Sequence, residues 1–342
     1  MNGPARQWRR GLVVGKFCPL HRGHMLVIDS ALAACDEVVV ISYTKPEFAG
    51  CGRALREAWL RALYPQVRLL VLGDDRVPDN DAPDAVQRDF CASLCLDMLG
   101  VTVDAVFTSE DYGDGFARSL SAFFDARRGP GAQVAHVSVD RARALVPVSG
   151  TAIRADPHAM RAFLHPLVYA SFVRKVCLLG GESSGKTTLA AALAQALGSV
   201  WAPEFGRELW IGKDGALVFD DMLAIGQAQL AREQALLARA TRWLVCDTSP
   251  LTTLFYSGAM FGRADPALDA LATLATQGYD VTLLCAPDFD FVQDGTRQDA
   301  LFRQRQHAWY VAELTRRALP FTVVHGPLAK RVRQALDVLA TA

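Results

Sequence analysis

"KVCLLGGESSGKTTLAAALAQAL", residues 175–197, decides the fold. A short apolar run passes through a glycine-rich turn into an alanine- and leucine-rich stretch with helical spacing, the strand–loop–helix opening of a parallel α/β sheet. Within it, Gly180 to Thr187 fits G-x-x-x-x-G-K-[ST]. Gly180 and Gly185 let backbone N–H groups turn inward at a helix start whose partial positive charge favours anions. Gly180, Gly181, Glu182, Ser183, Ser184, Gly185, Lys186, Thr187 and Thr188 are therefore the candidate ATP contacts of this loop. Lys186 is placed for the β and γ oxygens, and Thr187 for Mg²⁺.

Outward from this stretch the same alternation of β-branched runs and amphipathic segments continues in both directions. Downstream strands are expected at 242–248 and 280–286, upstream ones at 11–17, 37–43, 67–73 and 103–109. A chain of 342 residues exceeds what one core serves, so two α/β domains are expected, at 11–170 and 171–342 after a tail at 1–10. Their join falls near 157–174, too apolar for a loose linker and read as a short packed helix.

Charge excludes some partners. Lys plus Arg and Asp plus Glu number 36 each, so no net field favours nucleic acid or an anionic membrane surface. No apolar run approaches the roughly 20 residues of a membrane span, and the basic N-terminus lacks a secretory core, which points to a cytoplasmic protein without stable membrane association. Eight cysteines are scattered with no C-x-x-C pair, as expected for reduced, buried thiols.

The companions of the loop narrow its chemistry. "RWLVCDTSPLTT" ends a strand on Asp247, where a carboxylate can hold the metal, take a proton from an attacking hydroxyl, or simply cap a helix. "VWAPEFGRE" ends another on Glu204 with Arg207 one turn on, suited to a sugar hydroxyl or to a plain surface ion pair. Residues 294–306 place Arg297, Arg303 and Arg305 in a polar stretch that can fold over nucleotide. The only asparagines are Asn2 and Asn80, so the guanine-reading N-K-x-D is missing. A small-molecule kinase using ATP fits better than a GTP switch.

The first half carries a second anion site. "GKFCPLHRGHMLVIDSAL" (15–32) ends a strand on Gly15 and Lys16 and sets His21 and His24 around Gly23 at a helix start. "VPVSGTAIRADP" (146–157) adds Ser149, Gly150, Thr151 and Arg154 at another. The two form a phosphate clamp with no covalent nucleophile and no evident base, which suits nucleotidyl transfer: an acceptor phosphate attacks the α-phosphorus of ATP and pyrophosphate leaves.

"GKFCPLHRGH" with "SGTAIR" is similar to the nucleotidyltransferase superfamily marked by (H/T)-x-G-H, and "GGESSGKTTL" followed by "DTSPLTT" and "DGTR" resembles a ribosylnicotinamide kinase domain. In that order, with "SYTKPEF" (42–48), "REAWL" (56–60) and "TSEDYGDGFA" (108–117) between, the chain resembles the NadR-type family of bacterial NAD salvage from residue 11 to about 330. The resemblance implies an N-terminal Rossmann-like nucleotidyltransferase and a C-terminal P-loop kinase with a parallel sheet. The kinase would phosphorylate N-ribosylnicotinamide to the mononucleotide (NMN), and the first domain would adenylylate NMN to NAD, both with ATP and Mg²⁺.

By the same resemblance Lys16, His21, His24, Ser149, Thr151 and Arg154 serve adenylylation, and Arg56, Trp59, Tyr112 and Gly113 surround the mononucleotide, although Trp59 lies on an amphipathic pattern that suits core as well as ring stacking. Glu204, Asp247, Asp294 and Arg297 carry over to the kinase. Partners are then small molecules, with a homo-oligomer left open. Some family members begin with a DNA-binding helix-turn-helix; only about ten residues precede the first strand here, so no operator binding is expected. Two other readings stay open. A fused coenzyme A enzyme joins the same two reaction types, usually with Thr where this chain has His21, and a nucleotide sensor would bind without turnover.

Overall fold

The computed structural model describes residues 6–289 and 299–342. It divides into two compact units, Met1–Ser171 and Phe172–Ala342. The first unit runs β1 (Trp8–Gly15), α1 (Arg22–Ala34), β2 (Cys35–Ser42), α2 (Arg53–Leu63), β3 (Arg68–Val71), α3 (Asp84–Ser93), β4 (Ala105–Thr108), α4 (Gly113–Arg128), β5 (Ala135–Ser138), α5 (Gly150–Ala155) and α6 (Pro166–Tyr169). Its sheet has the order β3-β2-β1-β4-β5, with every pairing parallel.

Residue chemistry explains that order. Val38, Val39, Val40 and Ile41 of β2 are at most 1% exposed, as a strand covered by helices on both faces must be. Each such side chain contributes about 1.5–3 kcal/mol relative to leaving it in water. β1 begins at Trp8, inside the expected tail, because Arg10 is satisfied there: its Nε donates to Glu37 at 2.6 Å and its backbone N–H to Asp104 at 2.8 Å. The order reverses between β1 and β4, which opens a crevice beyond their carboxyl ends. Gly15 and Thr108 are the last residues of those two strands.

The second unit runs β6 (Arg174–Gly180), α7 (Lys186–Ala196), β7 (Trp201–Ala202), α8 (Phe205–Gly212), α9 (Phe219–Leu237), β8 (Trp243–Asp247), α10 (Pro250–Phe261), α11 (Pro266–Gln277), β9 (Val281–Cys285), α12 (Ala300–Arg316), β10 (Thr322–Val324) and α13 (Leu328–Thr341). The order β10-β9-β6-β8-β7 is again wholly parallel, and β6 lies between β9 and β8. The glycine-rich loop therefore leaves the middle of the sheet. One apolar layer covers each face: Met222, Leu251 and Tyr310 on one side, Leu189, Leu193 and Leu339 on the other.

Two strands, β5 and β10, are not among those expected from sequence, and a third, β7, is shorter than expected. All are short edges, two to four residues long. The strand expected to end on Glu204 stops at Ala202, since Pro203 cannot donate to a ladder. At the join, α6 starts with Pro166 in its first turn and buries Val168 and Tyr169. No helix among the described residues is long and apolar enough to cross a membrane.

Candidate functional site

The crevice of the first unit is a cavity of about 530 Å³ walled by Gly15, Lys16, His24, Ser149, Thr151 and Arg154, among others. Sequence-distant motifs meet here because β1 and α5 both end at the crevice. His21 is the N-cap of α1, and its Nδ1 accepts from the His24 backbone N–H at 3.4 Å. The two imidazoles stack with centroids 3.7 Å apart. Burial lowers the His21 pKa to about 4, helped by the nearby Arg143 charge. His24 is pushed down by burial and then by His21, and its buried Nδ1 has no hydrogen-bond partner among the described residues. Two neutral, stacked rings thus offer N–H donors to an anion.

Arg154 bridges the two motifs. Its Nη1 donates to the Cys18 carbonyl at 2.6 Å, its Nη2 to Thr151 Oγ1 at 3.1 Å, and its guanidinium lies 4.0 Å over the Phe48 ring. Ser149 caps α5 by accepting from the Ala152 N–H at 3.2 Å.

Around the expected mononucleotide stretches the structure separates the residues. Arg56 does not line the cavity: it is fully buried and donates to Ser42 Oγ, Glu47 and the Leu72 carbonyl. Trp59 is 1% exposed and gives its Nε1–H to Ser171 Oγ at 3.0 Å, so it is core. Tyr112 does stand in the cavity wall. Gly113 lies behind it, where a Cβ would fall 2.0 Å from His136 Nε2. That ring is fixed between Asp114 at 2.7 Å and Thr108 Oγ1 at 2.9 Å.

In the second unit a cavity of about 430 Å³ is lined by Glu182, Lys186, Glu204, Arg207, Gln229, Tyr256 and Arg305, among others. Gly185 takes φ +77° just before α7, a conformation that favours glycine. Lys186 Nζ donates to the carbonyls of Gly180 at 2.8 Å and Gly181 at 3.0 Å. Thr187 Oγ1 donates to Asp247 Oδ2 at 2.6 Å, while Asp247 Oδ1 is buried with no hydrogen-bond partner among the described residues. Burial raises the Asp247 pKa against the pull of Lys186. Glu204 is raised in the same way, and its carboxylate lies 3.7 Å from Arg207 Nε.

Hard oxygens at Thr187 and Asp247, one of them left over, fit Mg²⁺ completed by water and phosphate oxygens. The described residues contain no cluster of three or more His, Cys, Asp or Glu that would hold a metal unaided. Arg303 departs from the expected mobile stretch: it is 6% exposed in α12 and donates to the Phe289 carbonyl at 2.9 Å. Arg305 lines the cavity. Asp294 and Arg297 lie outside the described residues. Ser183, Gly185 and Thr188 face a further hollow with Phe289 and Arg331.

Residues 175–331 match a family model described as an AAA domain. Over 316 residues the chain is 27% identical to the trifunctional NAD biosynthesis/regulator protein NadR of Salmonella typhimurium, covering 86% of this chain and 73% of that protein. Its fold is similar to that of a NadR protein solved with NAD and AMP-PNP, at a TM-score of 0.69 and 19% identity over 98% of this chain and 96% of that one. A NadR protein solved with NR gives a TM-score of 0.71 at 19% identity, over 97% and 95%. The chain is thus similar to NadR proteins over most of its length. Arg143, Asn80, Arg88 and Gln229 also line the cavities, and no motif announced them. They come from loops and helix faces that only the fold brings to the crevice.

Proposed function

We propose that the chain is a bifunctional NAD salvage enzyme. Its second unit transfers the γ-phosphoryl group of ATP to the 5′-hydroxyl of N-ribosylnicotinamide, giving NMN. Its first unit adenylylates NMN to NAD and releases pyrophosphate. The observation that carries this is a cavity in each unit that has its own lysine and lies at a helix start. The relatives are described as NAD biosynthesis proteins, and solved ones hold NAD, an ATP analogue or NR.

In the second unit Lys186 and the loop N–H groups hold the transferring phosphate, a task of positioning and charge stabilisation. Mg²⁺, held by Thr187 and Asp247, would neutralise charge on the β and γ oxygens. Glu204, rather than Asp247, is the carboxylate for the acceptor hydroxyl: it lines the cavity, whereas Asp247 is wholly buried and bound to Thr187. A pKa raised by burial suits Glu204 to accept a proton.

In the first unit Lys16, His21, His24 and Arg154 steady the triphosphate while the NMN phosphate attacks. No residue need form a covalent bond. Because His21 and His24 are held neutral, they donate hydrogen bonds without adding charge, and Lys16 and Arg154 supply the cations.

The test is to incubate the purified chain with ATP, Mg²⁺ and either N-ribosylnicotinamide or phosphopantetheine, and to resolve products by chromatography. NMN and then NAD are expected from the first mixture only. Absence of any nicotinamide nucleotide would remove the proposal, and dephospho-coenzyme A from the second would replace it.

A further inference from the structure

The turn that carries Glu204 is gripped on both sides by one helix. Immediately after it, the Phe205 N–H donates to Gln229 Oε1 at 2.9 Å. Immediately before it, the Pro203 carbonyl accepts from Arg232 Nη1 at 3.1 Å. Gln229 and Arg232 are three residues apart on α9, so they lie one turn apart on the same face. Arg232 is itself fixed: it meets both Glu208 oxygens at 2.6 Å and lies 5.1 Å over the Phe205 ring. Gln229 is 2% exposed, and its amide orientation is set by the donor it receives.

This arrangement changes what Glu204 does. It occupies the N-cap position of α8, where unsatisfied N–H groups and the helix dipole attract a carboxylate. Its side chain nevertheless makes no cap hydrogen bond. Gln229 meets the first N–H of α8 from a neighbouring helix, and Arg232 fixes the preceding carbonyl. The carboxylate is left to face the cavity that also holds Lys186 and Arg207.

We propose that Gln229 and Arg232 are positioning residues for Glu204, holding its carboxylate toward the phosphoryl acceptor by fixing the backbone on both sides of it in an orientation that does not cap α8. The inference rests on the assignment of Glu204 to the acceptor hydroxyl. Neither residue acts on phosphate. Losing either lets the turn relax and the carboxylate fall back onto the α8 N–H groups, where it binds protons less tightly.

Gln229→Met keeps side-chain length and Arg232→Met keeps the apolar stem, and each removes its contact. In the full chain each is expected to lower kinase kcat about 10- to 100-fold, to leave the KM for ATP within about twofold, and to shift the acid limb of the kcat–pH profile to lower pH. A thermal melt of the same samples and the unchanged KM for ATP report that the second unit is folded, and Arg232→Lys restores part of the rate through the Pro203 carbonyl. In a Glu204→Gln background neither Met substitution has a further effect. The proposal is overturned by wild-type kcat in both Met variants, or by equal losses with and without Glu204. Wild-type kcat in Glu204→Gln itself overturns the acceptor-site reading together with the positioning that rests on it.

Discussion

Thr187 Oγ1 donates to Asp247 Oδ2 across 2.6 Å, which ties the first turn of α7 to the last residue of β8. The bond uses one carboxylate oxygen and leaves Oδ1 buried without a hydrogen-bond partner among the described residues. Asp247→Asn keeps an acceptor for Thr187 and removes the charge. Kinase kcat should fall by about two to three orders of magnitude with a raised Mg²⁺ requirement. Because burial raises the Asp247 pKa, neutralising it should not lower the melting temperature. A Mg²⁺ titration of the initial rate with a thermal melt checks both.

Each unit holds its own clamp, so the activities should separate. Lys186→Ala is expected to abolish phosphorylation and spare adenylylation, and His24→Ala to do the reverse, each by at least about 100-fold. Assays on NMN and on N-ribosylnicotinamide distinguish them. A single change that silences both reactions in folded protein contradicts two independent sites.

Acid should weaken the first unit through His21. Its pKa is lowered from 6.5 to about 4, chiefly by burial, so between those values the unfolded chain binds a proton that the folded one refuses. Stability contributed by this site is therefore full above about pH 6.5 and falls as pH drops toward 4, by up to about 3 kcal/mol. Denaturant melts at pH 7.5 and 5 should show the loss, and His21→Gln should reduce it, leaving the part that His24 contributes.

Gly113→Ala places a Cβ where His136 stands, 2.0 Å from Nε2. The ring must then leave Thr108 and Asp114, at an expected cost of about 1–3 kcal/mol to the first unit. Urea unfolding followed by adenylyltransferase activity measures it, while kinase activity should hold.

Much of this was legible from residues alone, and for a reason. Buried parallel strands such as β2 and β6 are continuous apolar runs, and the Gly180–Thr187 loop and the His21–His24 helix start are local devices whose chemistry sits within a few residues. What escaped depends on distance. β5 and β10 are edges too short to show a pattern. Arg56 and Trp59 sit beside the cavity in sequence motifs, but helical periodicity turns both inward, to Ser42 and Ser171. Arg303 looks mobile in a polar stretch, yet a carbonyl at Phe289 holds it. Gln229 lies 25 residues beyond Glu204 in sequence, and only the packing of α8 on α9 joins them.

The Lys186 ammonium is bonded to two carbonyls of its own loop. An anion that draws it away gains only the difference between two sets of bonds, so an ion offering a single weak acceptor gains little. A polyphosphate has further oxygens for the loop N–H groups, and its exchange for the two carbonyls is the more favourable one.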